Sequence, residues 1–384
     1  MLKIGLVTGE YPPMQGGVGD FSREVSLALA ALGHRVHIIT HAGAGADARP
    51  APTIHPIIRS WNLPSLFLIR RLARSLSLDI VNIQYQAAAY GMTPPIHCLP
   101  LIIGAPSVVT FHDLRVPYLF PKAGALRRTA VNFLARSATG VIVTNPDDLS
   151  ALQRDPRIKR VIEIPIGSNV TPNFQLQTPK SAIRNLQSAI RNPVVGYFGF
   201  LNASKGGGTL LRALAALPDC KLLLIGGRTG SSDKTNAAFA DEIESLAASL
   251  GVADRITRTG FLPPRETTEA FWSCDVMAMP YVDGVSFRRG TFMACLAHGM
   301  PTITTRPATP LPELRDGENI RLVPPEDPAA LAAAIRELTA DPALRARLSA
   351  GALALADNFT WDKIAARTVD FLSMVILLKK GKTP

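Results

Sequence analysis

Two adjacent arginines in front of a short apolar helix are the residues of this chain that most clearly predict chemistry. Arg288 and Arg289 precede Gly290, and an apolar-rich run begins at Thr291 and ends before Gly299. A glycine in that place is typical of a helix C-cap. Because the free N–H groups and the dipole at a helix start favour an anion, the spacing predicts a phosphate site at Gly290 and Thr291.

The loop before these arginines holds side chains that can contact a sugar. Asp283 and Ser286 are its other polar residues, and both offer oxygen atoms to sugar hydroxyls. Neighbouring loop side chains need not point the same way, so we expect Arg288 or Arg289 to reach a diphosphate while the other is solvated. A salt-bridged arginine pair with a structural role is the alternative.

Glycines follow the first predicted strand of each half of the chain and precede a helix. In the first half these are Gly16, Gly17 and Gly19, and in the second half residues 199–208 combine glycines with Lys205. Glycines let a backbone approach a ligand closely, and a lysine suits phosphate charge. We predict an anion site at both points, although neither segment fits the G-x-G-x-x-G or P-loop pattern. A plain glycine-rich turn and a solvated lysine are the alternatives.

The two histidines of interest receive opposite interpretations. His112 directly follows an apolar run that ends at Phe111, and polar residues at the carboxyl end of a strand contact ligands in such folds. His298 lies at the end of the short helix before Gly299, where contact with the helix C-terminus explains it. We therefore predict a functional role for His112 and a structural role for His298.

Short apolar runs alternate with amphipathic stretches along the whole chain, which is typical of βαβ units with a parallel sheet. The predicted strands are residues 4–7, 36–39, 80–83, 108–111 and 141–143, then 194–198, 222–225, 276–279 and 302–304. The predicted helices are residues 21–32, 65–76, 125–138, 209–215, 241–250 and 329–338, the last with Asp327 as N-cap and Pro328 at its first position. The fold class is therefore α/β, with two parallel-sheet halves in tandem.

These halves define the expected domains. We predict an N-terminal domain over residues 1–170, a polar linker over 171–192, a C-terminal domain over 193–360 and a final helical segment over 361–384. Ligands of open parallel sheets bind beyond the carboxyl ends of the strands, so we expect the site in an interdomain cleft.

Composition narrows the class of partner. The chain has 384 residues, with 41 Lys and Arg against 30 Asp and Glu, for a formal net charge of +11. This excess predicts an anionic partner such as a nucleotide or an acidic membrane, with an ordinary basic surface as the alternative. Basic stretches at residues 70–74, 127–128 and 379–382 are candidates for a peripheral membrane surface. Nucleic acid is not expected, because the positive charge is dispersed and not interleaved with aromatic residues.

The cysteines predict neither disulfides nor zinc. They are far apart, with no C-x-x-C and no paired histidines: Cys98, Cys220, Cys274 and Cys295. The N-terminus is predicted to be a buried strand and not a signal peptide, and the apolar run at residues 371–378 is too short to span a bilayer. We expect a cytoplasmic protein, at most peripheral at the inner face of the membrane. The sequence indicates no oligomeric state.

With these motifs in order, the chain resembles the family 4 glycosyltransferases, which are retaining nucleotide-sugar enzymes of the GT-B fold. The resemblance covers nearly the whole chain. The segments that carry it are residues 16–19, 110–113, 164–169, 199–206, 297–301, 311–317 and 322–328.

The resemblance implies roles for individual residues. Gly16 and Gly17 would approach the donor diphosphate, His112 would contact the transferred sugar, and Lys205 would neutralise the leaving phosphate together with an arginine, for which we name Arg288. The remaining expected substrate contacts are Gly19, Asp20, Asp283, Ser286, Arg289, Gly290, Thr291 and Glu313. The resemblance also implies a donor-binding C-terminal domain, an acceptor-side N-terminal domain and a last helix that packs back on the N-terminal domain. No metal and no cofactor besides the donor are expected.

Two departures from the family pattern bear on these roles. Phe200 stands where the family usually has an arginine, and the Glu-x7-Glu acids are replaced by Ser286 and Ala294 when Gly299 and Pro301 are aligned. We hypothesise that Arg288 or Arg289 replaces the missing arginine, and that Ser286 or Asp283 replaces the missing sugar contact.

The leading interpretation is a hexosyltransferase that uses a UDP- or GDP-sugar and a glycan or lipid-linked acceptor, in polysaccharide or glycolipid synthesis. A catalytically silent nucleotide-sugar-binding protein and a nucleotide-sugar epimerase on the same fold are the alternatives.

Overall fold

The computed structural model describes residues 1–14, 16–45, 52–114, 124–158, 160–172, 192–200, 203–227, 235–379 and 381. The chain divides into two compact units. Unit 1 comprises Met1–Gly167 and Thr360–Pro384, and unit 2 comprises Ser168–Phe359. Most of the predicted linker lies outside the described residues.

Unit 1 is built on a seven-stranded sheet whose strand pairs are all parallel. Its strands are β1 Lys3–Thr8, β2 Arg35–His41, β3 Thr53–Ile58, β4 Ile80–Tyr85, β5 Ser107–Phe111, β6 Gly140–Val143 and β7 Val161–Glu163. Their order in the sheet is β3-β2-β1-β4-β5-β6-β7. The carboxyl ends of β4 and β5 are neighbours, which places the residues after Tyr85 and Phe111 at one edge.

Helices cover the sheet of unit 1 as outer layers. They are α1 Gly17–Ala31, α2 Leu63–Ser75, α3 Leu99–Ile102, α4 Gly124–Ser137 and α5 Pro146–Gln153. Leu66 of α2, Leu99 of α3 and Leu134 of α4 share one buried cluster with the sheet. Phe21 of α1 belongs to the cluster on the other face, so the helices lie on both faces.

Unit 2 repeats this plan with six strands. They are β8 Val194–Phe198, β9 Lys221–Ile225, β10 Ile256–Arg258, β11 Val276–Met279, β12 Thr302–Thr305 and β13 Arg321–Val323, in the parallel order β10-β9-β8-β11-β12-β13. The helices are α6 Gly207–Ala215, α7 Thr235–Ser249, α8 Pro264–Ser273, α9 Gly290–Ala297, α10 Pro328–Ala340 and α11 Pro342–Ala356. Both units are therefore Rossmann-like parallel α/β layers, which confirms the predicted fold class.

The last helix, α12 Trp361–Lys379, belongs to unit 1. The Trp361 ring meets the Phe21 ring of α1 edge-on at 5.4 Å between centroids. Arg367 of α12 donates a hydrogen bond to the carbonyl oxygen of Glu163, at 2.6 Å. Apolar packing and this hydrogen bond hold α12 against unit 1, although all of unit 2 lies between them in the sequence.

The predicted elements are present, with two kinds of difference. α1 begins at Gly17 and not at residue 21, because the glycines after β1 form the first turn of the helix and not a loop before it. The sequence analysis also missed β3, β7, β10 and β13, which are the edge strands of the two sheets. The N-cap assignment at Asp327 is confirmed, since its side chain accepts a hydrogen bond from the N–H of Ala330 at 2.8 Å.

Candidate active site

The arginine loop between β11 and α9 folds around one carboxylate. Arg288 Nη2 lies 3.0 Å from Asp283 Oδ2, and Arg289 Nη2 contacts the other oxygen of Asp283. The side chains of Arg288 and Arg289 are 9% and 14% exposed. The expectation that one of them is solvated is therefore wrong, because the shared Asp283 carboxylate draws both guanidinium groups out of water.

Arg289, the residue just before α9, also stacks on the aromatic ring of Tyr281, which follows β11. Its guanidinium carbon lies 4.6 Å from the centroid of the Tyr281 ring, a geometry that stabilises a cation. The Tyr281 hydroxyl is 2.8 Å from Thr291 Oγ1. The Nε atom of Arg289 is buried and makes no hydrogen bond to any described residue. Tyr281 thus joins the loop to the helix start, a role that the sequence analysis missed.

Lys205 reaches the same helix start from the other side of the sheet edge. A Cβ atom built on Gly199, directly after β8, would lie 3.2 Å from Lys205 Nζ and 2.6 Å from Thr291 Cγ2. Gly199, Lys205 and Thr291 therefore meet at one point. Burial, and then the positive charge of Arg289, lower the pKa of the Lys205 amine to about 8. No acidic side chain of the described residues offsets the effect of burial on this amine.

The start of α9 offers unsatisfied donors to this point. No described residue accepts a hydrogen bond from the N–H groups of Gly290 or Thr291. The N-cap residue, Arg289, supplies no capping hydrogen bond. Free N–H groups at a helix start beside two cations form an anion site.

The strand edge next to Lys205 carries no side chains. Gly199 has φ +107° and Gly226, after β9, has φ +120°. A Cβ atom at Gly226 would lie 3.4 Å from Gly199 Cα, so the two backbones nearly touch. The N–H of Gly226 donates to Thr259 Oγ1 at 3.1 Å. The adjacent glycines Gly226 and Gly227 are the sequence signal that could have predicted this open edge.

None of the three residues that depart from the family pattern, Phe200, Ser286 and Ala294, makes a side-chain hydrogen bond to a described residue. Ala294 is 1% exposed inside α9, so its methyl group is part of the core. Ser286 Oγ is buried and makes no hydrogen bond to the described residues. Glu313, an expected substrate contact, is exposed, and its carbonyl oxygen accepts a hydrogen bond from Asn319 Nδ2 at 2.8 Å. Phe200 also uses its carbonyl, which accepts from the Tyr197 hydroxyl at 3.2 Å.

His298 has the structural role that its position predicts. It is 2% exposed and stacks on Phe271 at 4.4 Å between centroids. Its Nδ1 atom lies 2.8 Å from the carbonyl oxygen of Ala294. Burial lowers the pKa of the ring to about 4, so at neutral pH the contact is a hydrogen bond from a neutral imidazole and not a charge–dipole interaction.

In unit 1, a carboxylate of the chain itself occupies the start of α1. Glu10 Oε1 accepts hydrogen bonds from the N–H groups of Val18 at 3.1 Å and Gly19 at 3.2 Å. A Cβ atom at Gly16 would overlap this carboxylate, whereas one at Gly17 would meet nothing within 4 Å. Glu10 was not singled out from the sequence. The approach of Gly16 and Gly17 to a diphosphate stays a prediction, and the N–H of Gly19 already has an acceptor.

Asp20 stands in the first turn of the same helix. Although Asp20 is an exposed residue, partial desolvation of its carboxyl group, and then the negative charge of Glu10, raise its pKa to about 6. Two acids close to one helix start make this part of unit 1 a poor place for a phosphate and a better place for hydroxyl groups.

His112 lies at the carboxyl end of β5, as predicted, and is half-buried. Its Nε2 atom is 2.9 Å from Gln84 Oε1, and its ring meets the Phe21 ring edge-on at 4.7 Å between centroids. Burial lowers the pKa of the ring to about 3, with no charged side chain contributing. The imidazole is therefore neutral at physiological pH and suited to hydrogen bonding.

The described parts of the chain contain neither a cluster of metal ligands nor a membrane-spanning helix. No three His, Cys, Asp or Glu side chains converge there as a set of metal ligands. Likewise, none of the described helices has both the length and the hydropathy needed to cross a bilayer.

Two family models match successive halves of the chain. Residues 16–167 match the model described as "Glycosyl transferase 4-like domain". Residues 192–341 match the model described as "Glycosyl transferases group 1". The first match includes helix α1 and His112. The second includes Lys205 and the loop that carries Arg288 and Arg289.

Two individual glycosyltransferases are 25–30% identical to the chain. It is 30% identical to D-inositol 3-phosphate glycosyltransferase of Corynebacterium diphtheriae over 63% of this chain and 57% of that protein. It is 25% identical to GDP-mannose-dependent alpha-(1-6)-phosphatidylinositol monomannoside mannosyltransferase of Mycolicibacterium smegmatis over 96% of this chain and 97% of that protein. The chain spans about half the length of the inositol 3-phosphate glycosyltransferases that it matches.

Solved structures show the same fold. Sucrose-phosphate synthase from Thermosynechococcus elongatus has a TM-score of 0.77 at 23% identity, covering 98% of this chain and 100% of that one. Anabaena HepE in complex with UDP and glucose has a TM-score of 0.74 at 22% identity, covering 97% and 100%. The solved structures show that the two parallel-sheet units form the GT-B fold. The two family models identify the chain as a glycosyltransferase, with a family 4-like domain over residues 16–167 and a group 1 domain over residues 192–341.

Proposed function

We propose that the protein transfers a hexose from a UDP- or GDP-sugar to a hydroxyl group of a glycan or lipid-linked acceptor. The observation that carries the proposal is the meeting of Lys205, Arg289 and the free N–H groups of Gly290 and Thr291 at a side-chain-free strand edge. A nucleoside diphosphate supplies the anion that this arrangement lacks. Among similar proteins, one is named as GDP-mannose-dependent and another was solved with UDP, which supports this donor class.

The chemistry follows from charge. When the bond between the sugar C1 and the diphosphate oxygen breaks, negative charge develops on the leaving diphosphate. Lys205, Arg289 and the start of α9 are placed to stabilise that charge without reorganisation. Arg288 acts through Asp283, which it shares with Arg289, so we assign direct contact with the phosphates to Arg289.

We further propose that the reaction retains the configuration at C1. Asp283 is tied to two arginines, so it is not a free nucleophile or base for the donor sugar. The acceptor oxygen would then attack C1 from the face that the diphosphate leaves, and the acceptor proton would pass to a diphosphate oxygen. The products are the glycoside and the protonated nucleoside diphosphate. The anomeric coupling of the product glycoside, measured by NMR and compared with that of the donor sugar, distinguishes retention from inversion.

We propose that no metal and no further cofactor take part, since Lys205, Arg289 and the helix dipole already oppose the diphosphate charge. Transfer should be unchanged within twofold when the protein is dialysed against EDTA. A loss of activity that Mg²⁺ or Mn²⁺ restores would contradict this part of the proposal.

The test of the proposed function is incubation with UDP-glucose, GDP-mannose and related donors, with and without acceptors. Inositol 3-phosphate and phosphatidylinositol mannoside vesicles are suitable first acceptors, because similar proteins are named for such compounds. Release of nucleoside diphosphate that depends on the acceptor supports transfer. A changed sugar on an intact donor would identify an epimerase, and binding without turnover would identify a silent binding protein.

A surface of unit 1 supports a location at an anionic membrane. Helices α2, α3 and α4 cover the same face of the sheet. Their sequences contain no Asp or Glu, and α2 and α4 contain arginines. Large apolar side chains on these helices are exposed: Leu63 54%, Phe67 55%, Leu68 41%, Leu101 64% and Phe133 40%. Arg71, Arg74 and Arg128 are exposed beside them. Exposed apolar groups flanked by arginines suit the interface of an anionic bilayer.

Flotation with vesicles of phosphatidylcholine and phosphatidylglycerol tests this surface. The double variant Arg71→Glu/Arg74→Glu should lose flotation. The variant Arg265→Glu/Arg315→Glu changes the net charge equally on exposed arginines of unit 2 and should float like the wild type. Equal loss in both variants, or no flotation of the wild type, would reject the proposed surface.

A further inference from the structure

Three polar side chains that hydrogen-bond to one another lie buried on two adjacent strands in the sheet of unit 1. Asn82 and Gln84 of β4 are 2% and 1% exposed, and Thr110 of β5 is 2% exposed. Burying amide and hydroxyl groups costs free energy unless their hydrogen bonds are satisfied. A fold that needed only packing at these positions would be more stable with valine or leucine, so the polar groups call for an explanation.

Their hydrogen bonds form one directed chain that ends on His112. Thr110 Oγ1 donates to Asn82 Oδ1 at 2.9 Å, and Gln84 Nε2 donates to the same oxygen at 3.1 Å. The other end of the Gln84 amide, Oε1, lies 2.9 Å from His112 Nε2. These bonds connect two adjacent strands to the residue at the carboxyl end of β5.

The direction of this chain determines which imidazole nitrogen carries the proton. In this structure Asn82 turns its amide oxygen toward Thr110 and Gln84. Because an amide oxygen only accepts, Gln84 presents its NH₂ group to Asn82 and its oxygen to His112. An amide oxygen also only accepts, so the bond requires a hydrogen on His112 Nε2. In a neutral imidazole, Nδ1 is then a free acceptor.

We propose that Gln84 is a positioning residue, held by Asn82 and Thr110, which fixes His112 in the Nε2–H tautomer so that Nδ1 accepts a hydrogen bond from a hydroxyl group of the substrate sugar. The substrate half of this inference rests on the proposed function, whereas the tautomer does not. The T-shaped contact with Phe21 restricts the ring on its second side, so the position of Nδ1 is fixed as well as its protonation.

The alternative is that the buried amides serve stability alone. In that case the tautomer of His112 would be free to change without consequence for the sugar. The two accounts differ in what happens when Gln84 is replaced by a side chain of similar size, because only positioning predicts a change at the imidazole itself.

The experiment is long-range proton–nitrogen NMR on protein labelled with ¹⁵N-histidine. His112→Asn identifies the His112 signals. We expect the wild type to show the Nε2–H tautomer, and Gln84→Leu to show a mixture or the Nδ1–H tautomer. Thr40→Val is the matched control, because Thr40 is buried in the same sheet and its hydroxyl makes no hydrogen bond to the described residues. This control should leave the His112 signals unchanged.

Gln84→Glu keeps the size of the side chain. It provides a second test of the inference if Gln84→Leu does not fold. Its carboxylate should stabilise the imidazolium and raise the pKa of His112 from about 3 toward neutrality, which an NMR pH titration detects. A wild-type Nδ1–H tautomer, or a tautomer that is unchanged in Gln84→Leu together with an unshifted His112 pKa in Gln84→Glu, would overturn the inference.

Kinetics test the substrate half separately. Gln84→Leu should lower kcat/KM on the order of tenfold, the size of one lost hydrogen bond at the upper end of the usual range. In Gln84→Glu, kcat/KM should fall as the pH drops through the new His112 pKa, because protonated Nδ1 no longer accepts. If NMR shows the expected tautomers and both variants transfer sugar like the wild type at every pH, the contact with the sugar is rejected. If no donor is turned over by the wild type, the proposed function fails and the tautomer assignment stands.

Discussion

The helices α1 and α9 begin with the same kind of glycine-led backbone and opposite electrostatic surroundings. At α1, the Glu10 carboxylate accepts from the N–H groups of Val18 and Gly19. At α9, the N–H groups of Gly290 and Thr291 have no acceptor among the described residues, and Lys205 and Arg289 stand beside them. A glycine-led helix start is therefore only a potential anion site, and the side chains that fold back on it decide whether an anion can bind.

This difference separates two tasks. The basic start of α9 suits the charge of a nucleoside diphosphate, whereas the acidic start of α1, with Glu10 and Asp20, suits hydroxyl groups. The chain provides its own anion at one helix and leaves the other for a ligand. Substitutions at the two helices should consequently affect donor binding very unequally.

The largest effect is expected for Lys205→Ala. The variant removes the amine that lies against Gly199 and Thr291, and kcat should fall on the order of 10²- to 10³-fold, as when one preorganised oxyanion donor is removed. Lys221→Ala, an exposed lysine at the start of β9, is the control. Steady-state kinetics with a UDP- or GDP-sugar measure both, and equal kcat values for the two variants would remove Lys205 from the mechanism.

A smaller effect is expected for Arg289→Ala. Loss of one charge-assisted contact should weaken nucleoside diphosphate binding by about ten- to a hundredfold. Arg288→Ala should weaken it less, because Arg288 acts through Asp283. Isothermal titration with UDP and GDP compares the two variants. A greater loss in Arg288→Ala would reverse the assignment of the phosphate contact.

The pH dependence of donor binding should show Lys205 directly. Because the pKa of Lys205 is about 8 in the free protein, affinity for the diphosphate should fall as the pH rises through 8, by about tenfold per pH unit while the bound lysine stays protonated. Lys205→Arg should abolish this dependence above pH 8.

The stability of the folded protein should change with pH in the direction opposite to donor affinity. The pKa of Lys205 is lowered in the folded protein, so the unfolded chain binds the proton more tightly between pH 8 and the ordinary lysine value of about 10.4. The contribution of Lys205 to stability therefore rises with pH in this window. A loss of donor affinity there is not a loss of folded protein, which a urea titration at each pH can establish.

The smallest effect on the donor is expected at α1. Glu10→Gln should lower the free energy of unfolding by about 1 kcal/mol, since it weakens the cap of α1. Donor affinity should stay within about twofold of wild type, because we propose that the phosphate charge is neutralised at α9 and not at α1. Chemical denaturation and calorimetry measure the two quantities. A tenfold gain in donor affinity would show that the phosphates compete with Glu10 for α1.

The sequence predicted the interior of both sheets and missed their borders. Buried strands such as β6 and β11 are continuous apolar runs, whereas β10, Ile256–Arg258, and β13, Arg321–Val323, each include an arginine. Edge strands need less burial and are fixed by pairing with a neighbour, so their own sequence carries a weak signal. The same explanation holds for β3, which contains Pro56.

The sequence indicated where the candidate site residues lie on the strands and helices, but not which side chains contact one another. Lys205, Arg289 and His112 lie at strand ends or helix starts, which topology and glycine spacing indicate. Three contacts were missed: the hydrogen bonds of Glu10 to the start of α1, the stacking of Arg289 on Tyr281, and the hydrogen bond between Gln84 and His112. Each of these contacts joins residues that are brought together by tertiary folding or by a loop, and the spacing of residue types along one chain does not specify such contacts.

The central claim is that unit 2 binds the donor diphosphate at Lys205 and the start of α9. A crystal structure of the protein with UDP or GDP tests it most directly. The account predicts the β-phosphate within hydrogen-bond distance of Lys205 Nζ and of the N–H groups of Gly290 or Thr291, with Arg289 in contact. Phosphates bound at the start of α1, with Lys205 and Arg289 both out of reach, would contradict it.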